Sequence, residues 1–408
     1  MSFGFPTRPI REGGASILVP EVEAARRRPN GYAISRAPVF YTPRMRLNRD
    51  TAVLALGVHQ RRLSRPVVVC EPMCGTGVRG IRLALEVAEV ERVVLGDLNP
   101  LAVGLADENA ALNGVSEKVE TRLMDANLLL SLHDRPMGRF DYIDLDPYGS
   151  PAPYLDATVR ACRSGGLVAL TATDTAPLCG VNPRACLRKY GGLPLRTEYC
   201  HEVALRLVVG ALVGAAARHD VAARPLFSYA ADHYVRLYAV LERGARMADR
   251  CLDRMGYLLH CPGCSNRRTA PPGGPVKADE CEVCGTRMTI GGPMWMDDLA
   301  DPAFCDEMLA LSRSSYLSSD RRLVKIITLV GGEVGFEPGF YDIDKLCSRL
   351  GVASLAADDV VSALGDAGFR AARTHFDDRG VKTDASVVEV ENVLKRLVGY
   401  SGGGGHVP

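Results

Sequence analysis

The sequence predicts an α/β protein: a doubly wound, mainly parallel sheet makes up its larger part, and a smaller α+β domain follows. Three observations carry this reading. Short apolar runs alternate with helical stretches from residue 66 onward, at the spacing of βαβ units. Each run ends on a carboxylate, at Glu71, Asp97, Asp125, Asp146 and Asp174, so acids line one edge of the sheet. Past residue 245 the alternation is lost and two Cys-x2-Cys knuckles appear.

The elements follow in order. PVVVCEP (66–72) reads as a buried strand, then the loop MCGTGVRG leads into a helix through IRLALEVAEV. RVVLGD (92–97) is the second strand, and the helix NPLAVGLADENAALNG is stopped by Gly114. KVETRLMD (118–125), FDYIDLDP (140–147) and LVALTATD (167–174) are the third to fifth strands. TEYCHEVALRLVVGALVGAAARHD (197–220) is a long, apolar-rich helix with an acidic first turn, and 225–244 gives two antiparallel strands around an Asp-His turn. The change of style places a domain boundary near Arg246. Residues 1–245 then form the sheet domain with a basic N-terminal arm. Residues 246–400 form a second domain, with the cysteine knuckles in 256–290 and a helix–turn–helix-like stretch after them. Residues 401–408, which include SGGGG, read as a mobile tail.

Hydrophobic content of 47% and charged content of 24% are ordinary for a globular protein. Charge is unevenly spread. Through Pro66 there are twelve Arg and no Lys against Glu12, Glu21, Glu23 and Asp50, a local net of +8. Such a segment suits a phosphate backbone, and equally a solvated arm. Thirteen cysteines without an apolar leader point to a reducing interior. No run of 18 uncharged apolar residues appears, so the expectation is a soluble cytoplasmic protein with no membrane and no obligate protein partner.

Glu71, Gly75 and Gly77 form E-x-x-x-G-x-G, an acid at a strand tip followed by glycines that let backbone approach a small cofactor. An acid there repels phosphate and attracts an amino group. Asp97, about 20 residues further on, sits where a carboxylate accepts both hydroxyls of a ribose. NAD and S-adenosylmethionine both carry that ribose. The fourth strand discriminates, because Asp146-Pro147-Tyr148 suits methylation of an exocyclic amine. The lone pair of such an amine is delocalised into its ring. A carboxylate accepting its N–H restores nucleophilicity as the methyl arrives. Pro147 fixes φ and aims a carbonyl at the second N–H, and Tyr148 stacks on the base, a contact of roughly 1–3 kcal/mol. Against this stands a helix N-cap role for Asp146, although Ser150 is better placed to cap a helix starting at Pro151. Asp144, on the same strand face, reads as a supporting group.

Cys261, Cys264, Cys281 and Cys284 form C-x2-C-x16-C-x2-C, the spacing of a zinc ribbon with four thiolates around a structural Zn²⁺. Arg267, Arg268 and Arg287 nearby read as phosphate contacts or as solvated loop charge. The other nine cysteines show no metal spacing and read as packing residues. His133, His201 and His233 have no partner pattern.

Taken together, FYTPRMRLNRD (40–50), EPMCGTGVRG, DLDPYGSP, TATDTAPLCG (171–180) and THFDDRGVKTDA (374–385) resemble the tRNA guanine-N2 dimethyltransferases, which act on guanosine 26. The resemblance runs in order from about Glu12 to Val390. It implies a Rossmann-like class I methyltransferase domain that uses S-adenosylmethionine, and a family-specific C-terminal domain that binds tRNA. Carried over by position, it implies that Arg49 and Arg79 contact the methionine end of the cofactor. Asp97 would hold the ribose, Asp125 and Ala126 the adenine, and Asp146 would be the catalytic carboxylate. Family members often have Phe where this chain has Tyr148. The rival readings are methylation of another tRNA guanine or of DNA, and a non-catalytic zinc-ribbon module that binds nucleic acid.

Overall fold

The computed structural model describes residues 4–21, 37–274 and 276–399. Arg26, Arg27, Arg28 and Arg36 of the basic arm and the tail 401–408 lie outside the described residues. The chain opens with a hairpin, β1 (Thr7–Glu12) and β2 (Ala15–Pro20), followed by helix α1 (Arg46–Leu63). Strand–helix alternation then runs through β3 (Val67–Glu71), α2 (Val78–Glu86), β4 (Val90–Asp97), α3 (Pro100–Leu112), β5 (Val119–Leu123) and α4 (Ala126–Leu132). It continues with β6 (Phe140–Leu145), α5 (Leu155–Ala161), β7 (Cys162–Ala172), α6 (Thr175–Leu178), α7 (Pro183–Tyr190) and α8 (Cys200–Ala217). β8 (Val221–Ala231) and β9 (Tyr234–Arg243) close the sheet as an antiparallel pair.

The seven-stranded sheet has the order β5-β4-β3-β6-β7-β9-β8. Pairings from β5 to β7 are parallel, and β9 joins β7 antiparallel. Chain order reverses between β3 and β6, which puts the ligand crevice of an open α/β sheet outside the carboxyl ends of those two strands. Alternation along β3 sends Val67 and Val69 to one face and Val68 and Cys70 to the other, and a separate core lies on each side.

Beyond β9 come α9 (Ala245–Leu252), β10 (Met255–His260), β11 (Arg267–Ala270), β12 (Thr289–Trp295), α10 (Pro302–Arg313) and α11 (Arg321–Gly332). The boundary near Arg246 marks a change of style rather than a division of cores. Phe304, Met308, Leu323 and Ile327 of α10 and α11 share the core of α1 and β3, while Leu258, Met294 and Trp295 share the core of α8. A separately cored unit begins later, with β13 (Tyr341–Asp342), α12 (Ile343–Leu350), α13 (Ala357–Asp366), β14 (Ala371–Arg373), β15 (Gly380–Thr383) and α14 (Val387–Leu397). Two short helices, α12 and α13, occupy the stretch read as helix–turn–helix-like, beside a sheet of order β13-β15-β14. The second of these helices opens on Asp358 and Asp359, an acidic face unsuited to phosphate.

Helix α8 is long and apolar enough to cross a membrane by composition, yet 72% of it is buried in the protein. Its acidic first turn has a packing cause. Glu202, fully buried, takes Arg206 at 2.8 Å and Lys382 of β15 at 2.8 Å, and accepts the Gly339 N–H at 3.0 Å. Burial pushes this carboxyl up, but Lys382 and Arg206 outweigh it and hold it at about 2. The C-terminal unit is thus joined to the sheet domain by a buried pair, and loss of Glu202 would leave Lys382 with only the Gly339 carbonyl at 3.2 Å.

Candidate active site

The crevice between β3 and β6 collects the residues singled out above. Glu71 ends β3 fully enclosed, and its Oε2 accepts the Gly80 N–H at 2.9 Å. Gly75 and Gly77 have φ of 52° and 73°, left-handed values that glycine adopts without strain. The turn they make lets the Gly75 N–H donate to Asp97 Oδ2 at 2.9 Å, while Asp97 Oδ1 accepts from Asn99 N at 2.9 Å. The Met124 N–H donates to the Asp97 carbonyl at 3.0 Å, so the ends of β4 and β5 adjoin. Asp125 then caps α4 by accepting from Asn127 and Leu128 at 2.9 and 3.1 Å, with Ala126 buried behind it. Gly75, Asp97, Asp125 and Ala126 therefore form one rim.

Arg79, on the first turn of α2, is the hub of the site. Its Nε donates to Glu71 at 3.1 Å, its Nη1 to Asn48 Oδ1 at 2.5 Å, and its Nη2 pairs with Asp146. Nη1 also lies 3.4 Å from Asp144. Asp144 is wholly buried, held by Arg236 through both oxygens at 2.9 and 2.6 Å and by the Tyr142 hydroxyl at 2.6 Å. Thr171 Oγ1 accepts from Arg236 at 2.8 Å and from Asn48 at 3.2 Å, which closes the network. Burial pushes the Asp144 carboxyl up, but Arg236 and then Arg79 hold it below the usual carboxylate range. Glu71 goes the other way: burial raises it to about 8 against the pull of Arg79, with Asp144 and Asp146 adding to the rise. Three carboxylates face two guanidiniums, so the cluster is neutral overall while Glu71 is protonated and reaches net −1 when Glu71 ionises, a step that a positively charged guest favours.

Asp146 lies just past the end of β6 with its side chain 17% exposed. It caps no helix. Nor does Ser150, expected as the cap. The short helix after it starts from Pro151 without a side-chain cap. Ser150 instead accepts the Ala152 N–H at 3.3 Å in a turn and donates to Tyr190 at 2.8 Å. Pro147 is buried, whereas Tyr148 is 83% exposed and meets Phe40 edge-on, ring centroids 6.4 Å apart. Gly149 exchanges hydrogen bonds with Thr173, its N–H reaching Oγ1 at 2.8 Å and its carbonyl taking the Thr173 N–H at 2.8 Å. That pins the loop to the end of β7.

Arg49 is not part of this constellation. It is buried against Glu12, with contacts of 2.5 and 2.6 Å, and donates to the Thr42 carbonyl at 3.1 Å. Glu12 also takes Arg82 at 3.1 Å, and Arg82 reaches Asp50 at 2.6 Å. This second network exists because the β1–β2 hairpin brings Glu12 onto α1, a contact that charge counting over the basic arm does not reveal. Sequence reasoning also missed Asn48, Phe40 and Arg236. The signal for Arg236 was present as a lone cation inside the apolar strand YVRLYAVL.

The four cysteines of the ribbon converge, their Sγ atoms all within 4.8 Å of one another. Both knuckles fold alike. Cys261 N donates to the Asn266 carbonyl at 2.8 Å and Cys281 N to the Thr286 carbonyl at 2.9 Å, with Ser265 and Gly285 in left-handed conformations at matching positions. All four thiols are free of disulfides. Sulfurs around tetrahedral zinc stand about 3.8 Å apart, so the donor set fits that ion. Of the arginines read as phosphate contacts, Arg267 lies over the Tyr341 ring at 4.1 Å, and Arg268 pairs with Asp279 at 3.1 Å. Arg267 thus latches the ribbon to the C-terminal unit, because a planar guanidinium on an aromatic face is stabilised by partial desolvation. Cys179 and Cys200, read as packing residues, also meet His201 with ligand atoms within 4.8 Å, where α6 abuts the start of α8.

With this geometry in place, comparison with known proteins is decisive. The family model described as N2,N2-dimethylguanosine tRNA methyltransferase matches residues 13–395. The chain belongs to this family. Among curated dimethyltransferase relatives, the tRNA (guanine(26)-N(2))-dimethyltransferase of Methanothermobacter thermautotrophicus is 40% identical over 389 residues, covering 95% of this chain and 99% of its own. The tRNA (guanine(26)-N(2)/guanine(27)-N(2))-dimethyltransferase of Aquifex aeolicus is 36% identical, with coverage of 95% and 96%. Among solved structures, Trm1 from Pyrococcus horikoshii in complex with S-adenosyl-L-methionine superposes with a TM-score of 0.82 at 33% identity, over 95% of this chain and 99% of that one. The dimethyltransferase resemblance read from DPYGSP and TATDTAPLCG is borne out, and the central sheet is that of a Rossmann-like methyltransferase.

Proposed function

We propose that this protein transfers methyl groups from S-adenosylmethionine to the exocyclic N2 of guanosine 26 in tRNA, twice on the same nitrogen. Family membership across residues 13–395 carries the reading, and the placement of Asp146 at the β3–β6 crevice supports it. Glu71, Gly75, Arg79, Asp97, Asp125 and Ala126 hold the cofactor, which supplies an electrophilic methyl on a sulfonium. The positive charge of that cofactor favours ionisation of Glu71, which takes the Glu71–Asp144–Asp146–Arg79–Arg236 cluster from neutral to net −1. A direct role for Arg49 at the methionine end requires its pair with Glu12 to open; with the pair closed it braces α1.

Guanine leaves its stack and enters beside Tyr148 and Phe40, whose exposed rings flank the mouth of the crevice. Asp146 accepts one N2 proton as the new bond forms, and the Pro147 carbonyl receives the other N–H. Arg79 keeps the Asp146 carboxylate aimed. Asp146 passes its proton to water and spent S-adenosylhomocysteine exchanges for fresh cofactor; the singly methylated amine retains one N–H, so the same carboxylate then serves the second transfer. Cys261, Cys264, Cys281 and Cys284 hold a structural zinc whose closed thiolate shell leaves no position for water, so it takes no part in methyl transfer.

Methylation of DNA and a purely binding role are disfavoured, because the relatives named above are tRNA guanine dimethyltransferases and the acidic strand ends oppose a phosphate-only site. Mass analysis of nucleosides from unmodified tRNA incubated with protein and cofactor tests the proposal. Dimethylguanosine is the expected product, and its loss in Asp146→Ala with cofactor binding retained is the expected control. Wild-type turnover in that variant would end the assignment.

A further inference from the structure

We infer that the cleft between the start of α1 and the β8–β9 turn seats backbone phosphates of the tRNA next to the target guanosine. The inference rests on the reaction proposed at Asp146. The cleft encloses about 430 Å³, and its polar wall is Arg44, Arg46, His233 and Arg322 with Asp232 and Asp320. Both acids are already engaged. Asp232 takes Arg322 at 2.9 Å, and Asp320 caps α11 through the N–H groups of Arg322 and Leu323 at 3.0 Å each. Arg46 contacts Asp50 only at 3.6 Å with its side chain 55% exposed, and exposed Arg44 has no ion pair among the described residues. Cationic capacity therefore remains for an outside anion.

Position identifies the anion. Arg44 and Arg46 follow Phe40 by four and six residues, and Phe40 meets Tyr148 at the mouth where the base enters. Asn48, on the first turn of the same helix, bonds Arg79, which holds Asp146. A flipped nucleotide leaves its own and the neighbouring phosphates within a nucleotide's length of the base, on the side where the backbone re-enters the helix. Arginine forks suit phosphate oxygens there, and such contacts fix register without reading sequence.

Arg44→Ala/Arg46→Ala in the full-length protein tests this with an unmodified tRNA transcript as the probe, since both side chains are exposed and neither holds a close ion pair among the described residues. The slope of log affinity against log salt should fall by roughly 0.7–0.9 for each phosphate no longer neutralised. Affinity should fall on the order of ten-fold or more. Cofactor affinity and turnover at saturating tRNA should stay as in the wild type. An unchanged salt slope and affinity would overturn the inference, and that would also be the result if an acidic protein occupied the cleft instead. Failure of the wild type to methylate any tRNA would instead count against the proposed function, so the two outcomes are separable.

Discussion

Removing the Asp144 carboxylate is the sharpest test of the charge network beneath the site. Arg236 is fully buried and spends both Nη groups on Asp144, at 2.9 and 2.6 Å. In Asp144→Ala it keeps only Thr171 and the face of Tyr238, 4.6 Å from the guanidinium carbon. A buried charge stripped of its partner costs about 3–5 kcal/mol. The Tyr142 hydroxyl, enclosed in the same core, loses its acceptor as well, at about 1–3 kcal/mol. These costs overlap, so the expected loss is about 3–5 kcal/mol in all, read from urea unfolding at unchanged m. Asp144→Leu combined with Arg236→Met should recover most of it, because a well-packed apolar pair needs no compensation. The pH sign follows from the lowered carboxyl. Its stabilisation is fully present above the unfolded value of about 3.9 and is lost as pH falls through the folded value, so the wild-type advantage should shrink in acid. A single variant that loses less than about 1 kcal/mol, or a double variant as damaged as the single, would refute the account of a buried pair holding the site together.

Glu71 makes the opposite prediction. Its folded carboxyl sits near 8 while the unfolded group ionises near 4.3, so stability should fall as pH rises between those values and then level off. Glu71→Gln should flatten that slope, which is worth up to about 1.4 kcal/mol per pH unit in urea midpoints. Tyr148→Ala should cost about 1–3 kcal/mol of base stacking, seen as a 10- to 100-fold fall in kcat/KM for tRNA, to the nearest decade. Tyr148→Phe should stay near wild type, since a hydroxyl on a ring 83% exposed already has water as its partner. At the proposed zinc site, the wild type should bind one zinc per chain and Cys281→Ser none, read by metal analysis. The substitution should also make the ribbon sensitive to proteolysis, because the core there is little more than the cysteines with Leu259 and Met288.

What the sequence disclosed and what it hid divide along a physical line. Local pattern revealed the five parallel strands, the acid at each strand end, the DPYG turn and both cysteine knuckles, because each depends on residues within one turn or one strand. Contacts between distant segments have no such signature. Arg236 meets Asp144 across 92 residues, Arg82 meets Glu12 across 70, and Arg79 meets Asn48 across 31. Each of these is a buried charge that must find its partner wherever the fold puts one. The same reason accounts for Arg49, which position-by-position resemblance assigns to the cofactor and the structure pairs with Glu12. It also accounts for Arg267, read as a phosphate contact or as solvated loop charge and found on Tyr341. A charge in a loop or arm is a free ligand only if no partner lies within reach in three dimensions. By that criterion Arg44, exposed and without an ion pair among the described residues, has a better claim to RNA than the arginines of the ribbon whose partners are already in place.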